Sequence, residues 1–224
     1  MDSDVELKGH AILQDDSKPP AKYRLFEFLG KGTYGETWVA RLVDPDRPNR
    51  YSVRRYAIKV AKLAKPKPGQ TKKDDSANRQ LDREYKIYQR LQKPLENSKQ
   101  GPELRLPRCY GKGEFHGRNF IVLELLGPSL QAIDVKKMVP QVVAHIGYRC
   151  VELLWALHLR GLLHRDVKPA NFLSGLEKKD SQRIFLIDFG LCTEFRNSDG
   201  SHVAFEQPRA DRRLIGTPRY ASLS

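Results

Sequence analysis

The sequence predicts an α+β fold of two lobes, in which a β-rich first half precedes an α-helical second half. Three short runs with strand-like patterning, residues 23–29, 36–41 and 55–61, lie close together near the N-terminus. The longest helical pattern, residues 139–159, lies in the second half and carries a wide apolar face. Because strands are grouped before helices, we expect two lobes that share a cleft.

The elements follow one another in a clear order. Residues 1–21 are expected to form a flexible tail that ends in Lys18-Pro19-Pro20. A glycine-rich turn separates the first two strands, and proline and aspartate residues at 44–48 predict a turn before the third. The remaining predicted elements are a helix at 78–91, a hairpin at 113–126 that turns at 116–119, the long helix, and a strand at 183–187.

Length and composition fit a soluble globular protein. The chain has 224 residues, of which 39% are hydrophobic and 30% charged. No apolar run approaches the length that crosses a bilayer, and the polar residues 1–16 do not resemble a signal peptide. Three widely spaced cysteines, Cys109, Cys150 and Cys192, predict reduced thiols in an intracellular protein of the cytoplasm or nucleus.

The net charge of +13 is concentrated in one stretch, since residues 47–73 hold ten Lys or Arg and no acid. Such a stretch could be a solvated loop, could attract nucleic acid or an anionic membrane, or could complement acidic or phosphorylated substrates. Pro66, Pro68 and Gly69 interrupt it, so it is not a continuous basic helix. Nucleic acid is not the expected partner, because no helix-turn-helix, zinc finger or aromatic stacking signature accompanies the charge.

The glycine-rich turn is the first candidate site. Its sequence is Gly30-Lys31-Gly32-Thr33-Tyr34-Gly35. Glycines allow a backbone to lie close to phosphates and to donate N–H groups to them. The pattern also fits an ordinary hairpin turn, and dinucleotide-binding folds use the same spacing before a helix. A predicted strand follows here instead, which favours a flap over a nucleotide.

A lysine within an apolar strand is the second candidate. Lys59 lies in Ala57-Ile58-Lys59-Val60 and is costly to bury without an anionic partner. Its head could simply reach water. Glu84, on the next predicted helix, could pair with Lys59 and hold it against the α- and β-phosphates of ATP. Asp82 is the competing acid, but Glu84 has the better flanking sequence.

A third motif follows the long helix. It reads His164-Arg165-Asp166-Val167-Lys168-Pro169-Ala170-Asn171, and Asp188-Phe189-Gly190 comes 22 residues after Asp166. An isolated Asp-Phe-Gly carries little information. Together with the glycine turn and the lysine, in this order, the set resembles the signature of protein kinases. The resemblance implies a two-lobed protein kinase fold and phosphoryl transfer from ATP.

The resemblance also implies a role for each residue of this motif. Asp166 would accept the proton of a substrate hydroxyl, and Lys168 would reach the γ-phosphate, where lysine marks serine/threonine kinases. Asn171 and Asp188 would supply hard oxygen ligands to Mg²⁺. His164 and Arg165 are expected to be structural, as a packing residue and a brace for the activation segment.

Three further stretches resemble the casein kinase 1 group, with tau-tubulin and vaccinia-related kinases as related possibilities. They are Leu123-Glu124-Leu125-Leu126-Gly127-Pro128-Ser129-Leu130, Glu84-Tyr85-Lys86-Ile87-Tyr88 and Gly216-Thr217-Pro218-Arg219-Tyr220-Ala221-Ser222. This similarity implies that Ala57 and the backbone of Glu124 and Leu126 bind the adenine end of ATP, with Leu123 as gatekeeper. It also implies that Arg219 binds an acidic or phosphorylated group of a protein substrate.

The resemblance divides the chain into a tail at 1–21 and a kinase domain at 22–224, with an N-lobe at 22–126 and a C-lobe at 127–224. Only 195 residues run from Gly30 to Ser224, so we expect the C-lobe to be incomplete. The expected function is therefore an ATP- and Mg²⁺-dependent serine/threonine kinase for acidic or primed sites. The alternative is a non-catalytic kinase-like fragment that at most binds nucleotide.

Overall fold

The computed structural model describes residues 7, 9–63, 75–94, 101–197, 200–204 and 215–221. The chain divides into two compact units. Unit 1 comprises Met1–Gln89 and Arg108–Leu125, and unit 2 comprises Arg90–Pro107 and Leu126–Ser224. This division differs from the predicted lobes, because residues 90–107 and Leu126 fall with the second unit rather than with the first.

Unit 1 is built on a six-stranded antiparallel sheet with the order β1-β2-β3-β4-β6-β5. Its strands are β1 (Ile12–Gln14), β2 (Lys22–Lys31), β3 (Gly35–Val43), β4 (Tyr51–Ala61), β5 (Cys109–Phe115) and β6 (Arg118–Glu124). Helix α1 (Ser76–Leu91) lies between β4 and β5 in sequence. The predicted strands and helix are therefore present. β2 and β3 are longer than predicted at both ends, and β4 and α1 only at their N-terminal ends.

One face of this sheet carries the core of unit 1. Alternate residues of each strand point to the same face. Leu25 of β2, Ile58 and Val60 of β4, and Phe120 and Val122 of β6 are therefore buried together. This apolar layer holds the strand register on which the candidate site of unit 1 depends.

The prediction of a flexible tail at residues 1–21 is wrong for its described part. β1 pairs with β2, and the side chain of Leu13 is fully buried in the core of unit 1. The Asp15 carboxylate accepts hydrogen bonds from the Ser17 hydroxyl at 2.6 Å and from the Ala21 N–H at 2.9 Å. Burial of a leucine contributes roughly 1.5–3 kcal/mol, which helps to offset the cost of ordering this segment.

The predicted hairpin is present, but its turn is narrower than expected. His116 and Gly117 form the turn, both with positive φ, and Arg118 is already the first residue of β6. Arg118 is 4% exposed, whereas the sequence suggested a residue of a solvent-exposed turn. The buried guanidinium is satisfied by hydrogen bonds with β3 and β4, described below.

Unit 2 is organised around helix α2 (Pro140–His158) and two small antiparallel pairs. β7 (Leu162–Leu163) pairs with β10 (Thr193–Glu194), and β8 (Phe172–Ser174) pairs with β9 (Ile184–Leu186). Pro140 suits the first turn of α2 because that position needs no N–H donor.

The apolar face of α2 is only partly buried within the described chain. Leu153, Ala156 and Leu157 are buried, while Val151 and Trp155 are more than half exposed. None of the helices in the described ranges is both long enough and apolar enough to span a bilayer. The buried side of α2 packs near β7 and β9, which flank the candidate site of unit 2.

Candidate active site

The glycine turn joins β2 to β3 as a tight hairpin. Gly30 pairs with Thr37 and Lys31 with Glu36, and the Gly32 N–H donates to the Gly35 carbonyl at 2.8 Å. Residues 31–34 are exposed at the tip, so their backbone can approach a ligand. Only glycine fits at position 35, because a Cβ there would lie 2.4 Å from the carbonyl oxygen of β4.

Arg118 anchors the base of this flap, which sequence reasoning missed. Its Nε donates to the Ala61 carbonyl at 2.7 Å, and its guanidinium forms an ion pair with Glu36. The end of β4 and the start of β3 are thus tied to β6. Glu36 and Arg118 are 82 residues apart, so no local pattern could have indicated the pair.

Lys59 and Glu84 form the ion pair that the sequence predicted. The Lys59 Nζ lies 2.7 Å from the Glu84 Oε2, and the Glu84 side chain is 2% exposed. The competing acid, Asp82, accepts a hydrogen bond from the Asn119 amide at 2.9 Å instead. α1 thus presents Glu84 to β4, and Asp82, two residues away on the helix, points elsewhere.

The strand register gathers the other predicted nucleotide contacts of unit 1. Ala57 pairs with Leu123 and lies two residues from Lys59, so both side chains of β4 point to one face. The Glu124 N–H donates a hydrogen bond to the Arg108 carbonyl at 2.8 Å, so this N–H is not available to a ligand. In unit 2, by contrast, Leu126 makes no backbone hydrogen bond within the described ranges.

Asp166 is the centre of the candidate site in unit 2. Its Oδ1 accepts hydrogen bonds from the Thr217 N–H at 3.0 Å and from the Thr217 hydroxyl at 2.7 Å. Its Oδ2 lies 2.7 Å from the Lys168 Nζ and 3.2 Å from the Asn171 Nδ2. The predicted residues Asp166, Lys168 and Asn171 are therefore brought into direct contact.

These contacts control the charge of Asp166. Burial by itself would raise the pKa of this carboxyl, but hydrogen bonds from Lys168 and Thr217, together with the Lys168 charge, lower it overall. The Lys168 Nζ also donates to the Thr217 hydroxyl at 2.9 Å. Asp166 is thus held as a carboxylate beside a cation and an alcohol.

Thr217 is a residue of the candidate site that the sequence did not single out. It follows Gly216, which has a φ of 99° and whose Cβ, if present, would lie 2.6 Å from the Arg165 carbonyl oxygen. The glycine therefore lets the chain pass close to Arg165 and brings Thr217 against Asp166. The signal that could have found it is the Gly216-Thr217 pair, within the stretch that resembles the casein kinase 1 group.

His164 is buried, as expected of a packing residue, and Arg165 contacts the segment that follows Asp188, as expected of a brace. The Nε2 atom of the buried His164 lies 2.9 Å from the Ile187 carbonyl oxygen. Its Nδ1 atom accepts a hydrogen bond from the Asp166 N–H at 3.3 Å. Desolvation lowers the pKa of His164, so a neutral ring protonated at Nε2 satisfies both contacts. The Arg165 Nε donates to the Leu191 carbonyl at 2.7 Å.

The β8–β9 hairpin brings together the backbone near the two predicted metal ligands. Asn171 precedes β8, and its carbonyl accepts from the N–H of Ile187, the residue before Asp188, at 3.0 Å. The Asn171 amide nitrogen donates to the Asp166 carbonyl at 2.8 Å, which turns that nitrogen away from any ligand. Its Oδ1 makes no hydrogen bond within the described ranges, so it fits a hard cation such as Mg²⁺.

Arg219, the predicted anion contact, is exposed near Thr217. Its guanidinium lies 5.9 Å from the centre of the Tyr220 ring, in a short 3₁₀ turn at Pro218–Tyr220. Arg209, Arg212 and Arg213, which precede Arg219 in the sequence and could add to an anion site, lie outside the described residues.

Comparison with known proteins places these features in a family. The family described as "Protein kinase domain" matches residues 23–222. A solved structure of vaccinia related kinase 3 shares the fold with a TM-score of 0.66 at 22% sequence identity. The match covers 95% of this chain, and this chain spans 59% of the length of that one. On the family match, this chain belongs to the protein kinases.

Proposed function

We propose that this kinase transfers the γ-phosphate of ATP to serine or threonine hydroxyls of proteins, in a Mg²⁺-dependent reaction of the casein kinase 1 type. The observation that carries the proposal is the hydrogen bond between the Thr217 hydroxyl and the Asp166 Oδ1 at 2.7 Å. An aliphatic alcohol already lies against the proposed base, with the Lys168 ammonium beside both groups.

Asp166 would orient the substrate hydroxyl and take its proton. A carboxylate offers about four lone-pair sites. In Asp166 all four are used: the Thr217 N–H and hydroxyl take two, the Lys168 ammonium one and the Asn171 amide one. An incoming hydroxyl would therefore replace one of them, and the Thr217 hydroxyl is its chemical equivalent. As the substrate oxygen bonds to the γ-phosphorus, the bond to ADP breaks and the proton passes to Asp166.

Lys168 would neutralise charge during the same step. Its Nζ contacts both Asp166 and Thr217, so the ammonium is already oriented without a bound ligand. Charge on the transferring phosphoryl group is spread over its outer oxygens, where a fixed cation lowers the barrier.

Unit 1 supplies groups that fit the rest of ATP. Glu84 orients the Lys59 ammonium, and the Lys59 side chain is 20% exposed, so it can reach the α- and β-phosphates. Thr33 and Tyr34, exposed at the tip of the turn, can donate their backbone N–H groups to phosphate oxygens. Ala57 and Glu124 of this unit, and Leu126, which belongs to unit 2, are the proposed adenine contacts, by resemblance to other kinases.

Asn171 and Asp188 would hold Mg²⁺ through their side-chain oxygens. When bound, the ion neutralises phosphate charge and aligns the phosphates for transfer. Two protein ligands suffice, because Mg²⁺ usually completes its shell with waters and substrate phosphates.

Acidic or phosphorylated proteins are the proposed substrates. Arg219 is exposed, stacks on Tyr220 and has no carboxylate partner within the described ranges. An arginine in this state can form charge-assisted hydrogen bonds with a phosphate or carboxylate near the acceptor serine.

ATP binding and phosphoryl transfer, measured separately on this chain, test the proposal. Asp166→Asn should abolish transfer to an acidic serine peptide while the Kd for ATP changes by less than about threefold, since Asp166 acts on the hydroxyl. Asp134→Asn, an exposed site in the same unit, is the matched control and should retain full activity.

Two outcomes would overturn the assignment. Undiminished transfer by a folded Asp166→Asn variant would exclude the base role. ATP binding without any transfer by the unmodified chain would favour the second candidate function, a non-catalytic nucleotide-binding protein. This chain spans 59% of the length of the matched kinase.

A further inference from the structure

Three arginines cross the sheet of unit 1 in a row that the proposed phosphotransfer does not use. Arg24 of β2 is directly opposite Arg41 of β3, which is directly opposite Arg55 of β4. Directly opposite residues project from the same face. Since neighbouring strands lie about 4.8 Å apart, the backbone of this arginine row spans roughly 10 Å.

No carboxylate balances the arginine row within the described ranges. None of its three guanidiniums forms an ion pair there, and Arg55 is exposed. Like charges placed directly opposite each other destabilise a sheet. Glu27 of β2 and Asp44 of the β3–β4 turn each lie three residues from an arginine of the row, but neither forms an ion pair with it in this part of the chain. The Asp44 carboxylate instead accepts a hydrogen bond from the Asp46 N–H at 3.0 Å. The repulsion among these arginines would be relieved by an anion that binds from outside.

Aromatic rings hold two of the three guanidiniums in place. Arg24 lies over the Tyr51 ring at 5.4 Å and donates to its hydroxyl, and Arg41 lies over the Phe26 ring at 5.6 Å. The two rings contact each other edge to face at 5.4 Å. A stacked guanidinium keeps its N–H edge available and loses less rotamer entropy on binding. The Arg24 Nε is shielded from solvent and has no hydrogen-bond acceptor among the residues that the structure describes.

We propose that the arginine row is a docking site for an acidic or phosphorylated segment of a protein partner. Arginine forks match carboxylate and phosphate groups. In an extended segment, alternate side chains lie about 6.6 Å apart, so two anionic groups at i and i+2 fit within the row. Single-stranded nucleic acid is a poorer fit, because its bases need open ring faces and those of Phe26 and Tyr51 carry guanidiniums.

Peptide binding to the full chain tests the proposal. The probe is a fluorescent, extended peptide with two phosphoserines at i and i+2, measured by anisotropy without nucleotide. Arg41→Gln/Arg55→Gln should weaken binding at least about tenfold, because hydrogen bonds between charged groups are lost. Arg41→Lys/Arg55→Lys keeps the charge but removes the forks, and should give an intermediate loss.

A matched control removes the same charge elsewhere. Arg79 and Lys93 are exposed and their side chains contact no carboxylate within the described ranges, so Arg79→Gln/Lys93→Gln should change the Kd by less than about twofold. If the control variant lost as much peptide affinity as the row variant, the effect would be due to net charge alone, and the proposed docking site would be wrong. Because neither nucleotide nor Asp166 takes part, a failure here leaves the proposed phosphotransfer intact.

Folding and ligand class are tested in the same samples. The row variants should melt no lower than the unmodified chain, because a repulsion is relieved. If the double variant is unfolded, Arg55→Gln alone replaces it, and the peptide should raise the melting temperature of the unmodified chain more than that of this variant. Tighter, row-dependent binding of a single-stranded oligonucleotide or of anionic vesicles would overturn the assignment to a protein segment.

Discussion

Replacing Thr217 by valine, which has nearly the same shape, tests how Asp166 is held. The substitution removes the hydroxyl that donates to the Asp166 Oδ1 at 2.7 Å and accepts from the Lys168 Nζ at 2.9 Å. The Thr217 N–H and the Lys168–Asp166 contact remain. We expect the pKa of Asp166 to rise, because one of the hydrogen bonds that favour its charged form is lost.

The expected loss of stability follows from these two contacts. A hydrogen bond to a charged group contributes about 1.5–3 kcal/mol net, and water can replace part of it at this half-buried position. We therefore expect Thr217→Val to lower the free energy of unfolding by about 1.5–3 kcal/mol at neutral pH, rather than by twice that amount.

The pH dependence has a definite sign. The pKa of Asp166 is lowered in the folded protein, so the contribution is complete above the ordinary aspartate value of about 3.9 and is lost as the pH falls through the folded pKa. The difference between the unmodified chain and Thr217→Val should therefore be largest near neutral pH and should shrink in acid.

Urea unfolding at several pH values and carbon NMR of the Asp166 carboxyl provide the measurements. Thr217→Ser, which keeps the hydroxyl, is the control and should preserve the Asp166 pKa. An unchanged Asp166 pKa in Thr217→Val, or a stability difference that does not depend on pH, would refute the reasoning.

Two further predictions concern unit 1. Lys59→Met should destabilise the protein by about 3 kcal/mol in urea unfolding, because the buried Glu84 carboxylate loses its 2.7 Å partner. Asp82→Asn, the control on the same helix, should cost less than about 1 kcal/mol, and equal losses would contradict the pairing. Gly35→Ala should lower stability by about 1–3 kcal/mol, because its Cβ meets the β4 carbonyl at 2.4 Å. Gly30→Ala has open space and should be nearly neutral, so similar melting temperatures for the two alanine variants would refute the steric argument.

Local patterns in the sequence were sufficient for the α+β class and most elements. Strand-like patterning of apolar residues located β2, β3 and β4, and helical spacing located α1 and α2. The Lys59–Glu84 pair was also predictable, because a lysine in an apolar strand needs an acid and the next helix offered two. The motif 164–171 grouped Asp166, Lys168 and Asn171 because they are close in sequence.

Tertiary structure decided the contacts that join distant segments. β1 is ordered because it pairs with β2 and because Leu13 packs into a core formed by later strands. Arg118 anchors the flap through Glu36, 82 residues earlier, and Thr217 reaches Asp166 from 51 residues away. The arginine row likewise exists only through the register of three strands. Periodicity in the sequence indicates which face of its strand or helix a side chain occupies. These contacts depend instead on which distant strand or loop packs against that face. The packing of the chain decides this, and no local pattern encodes it.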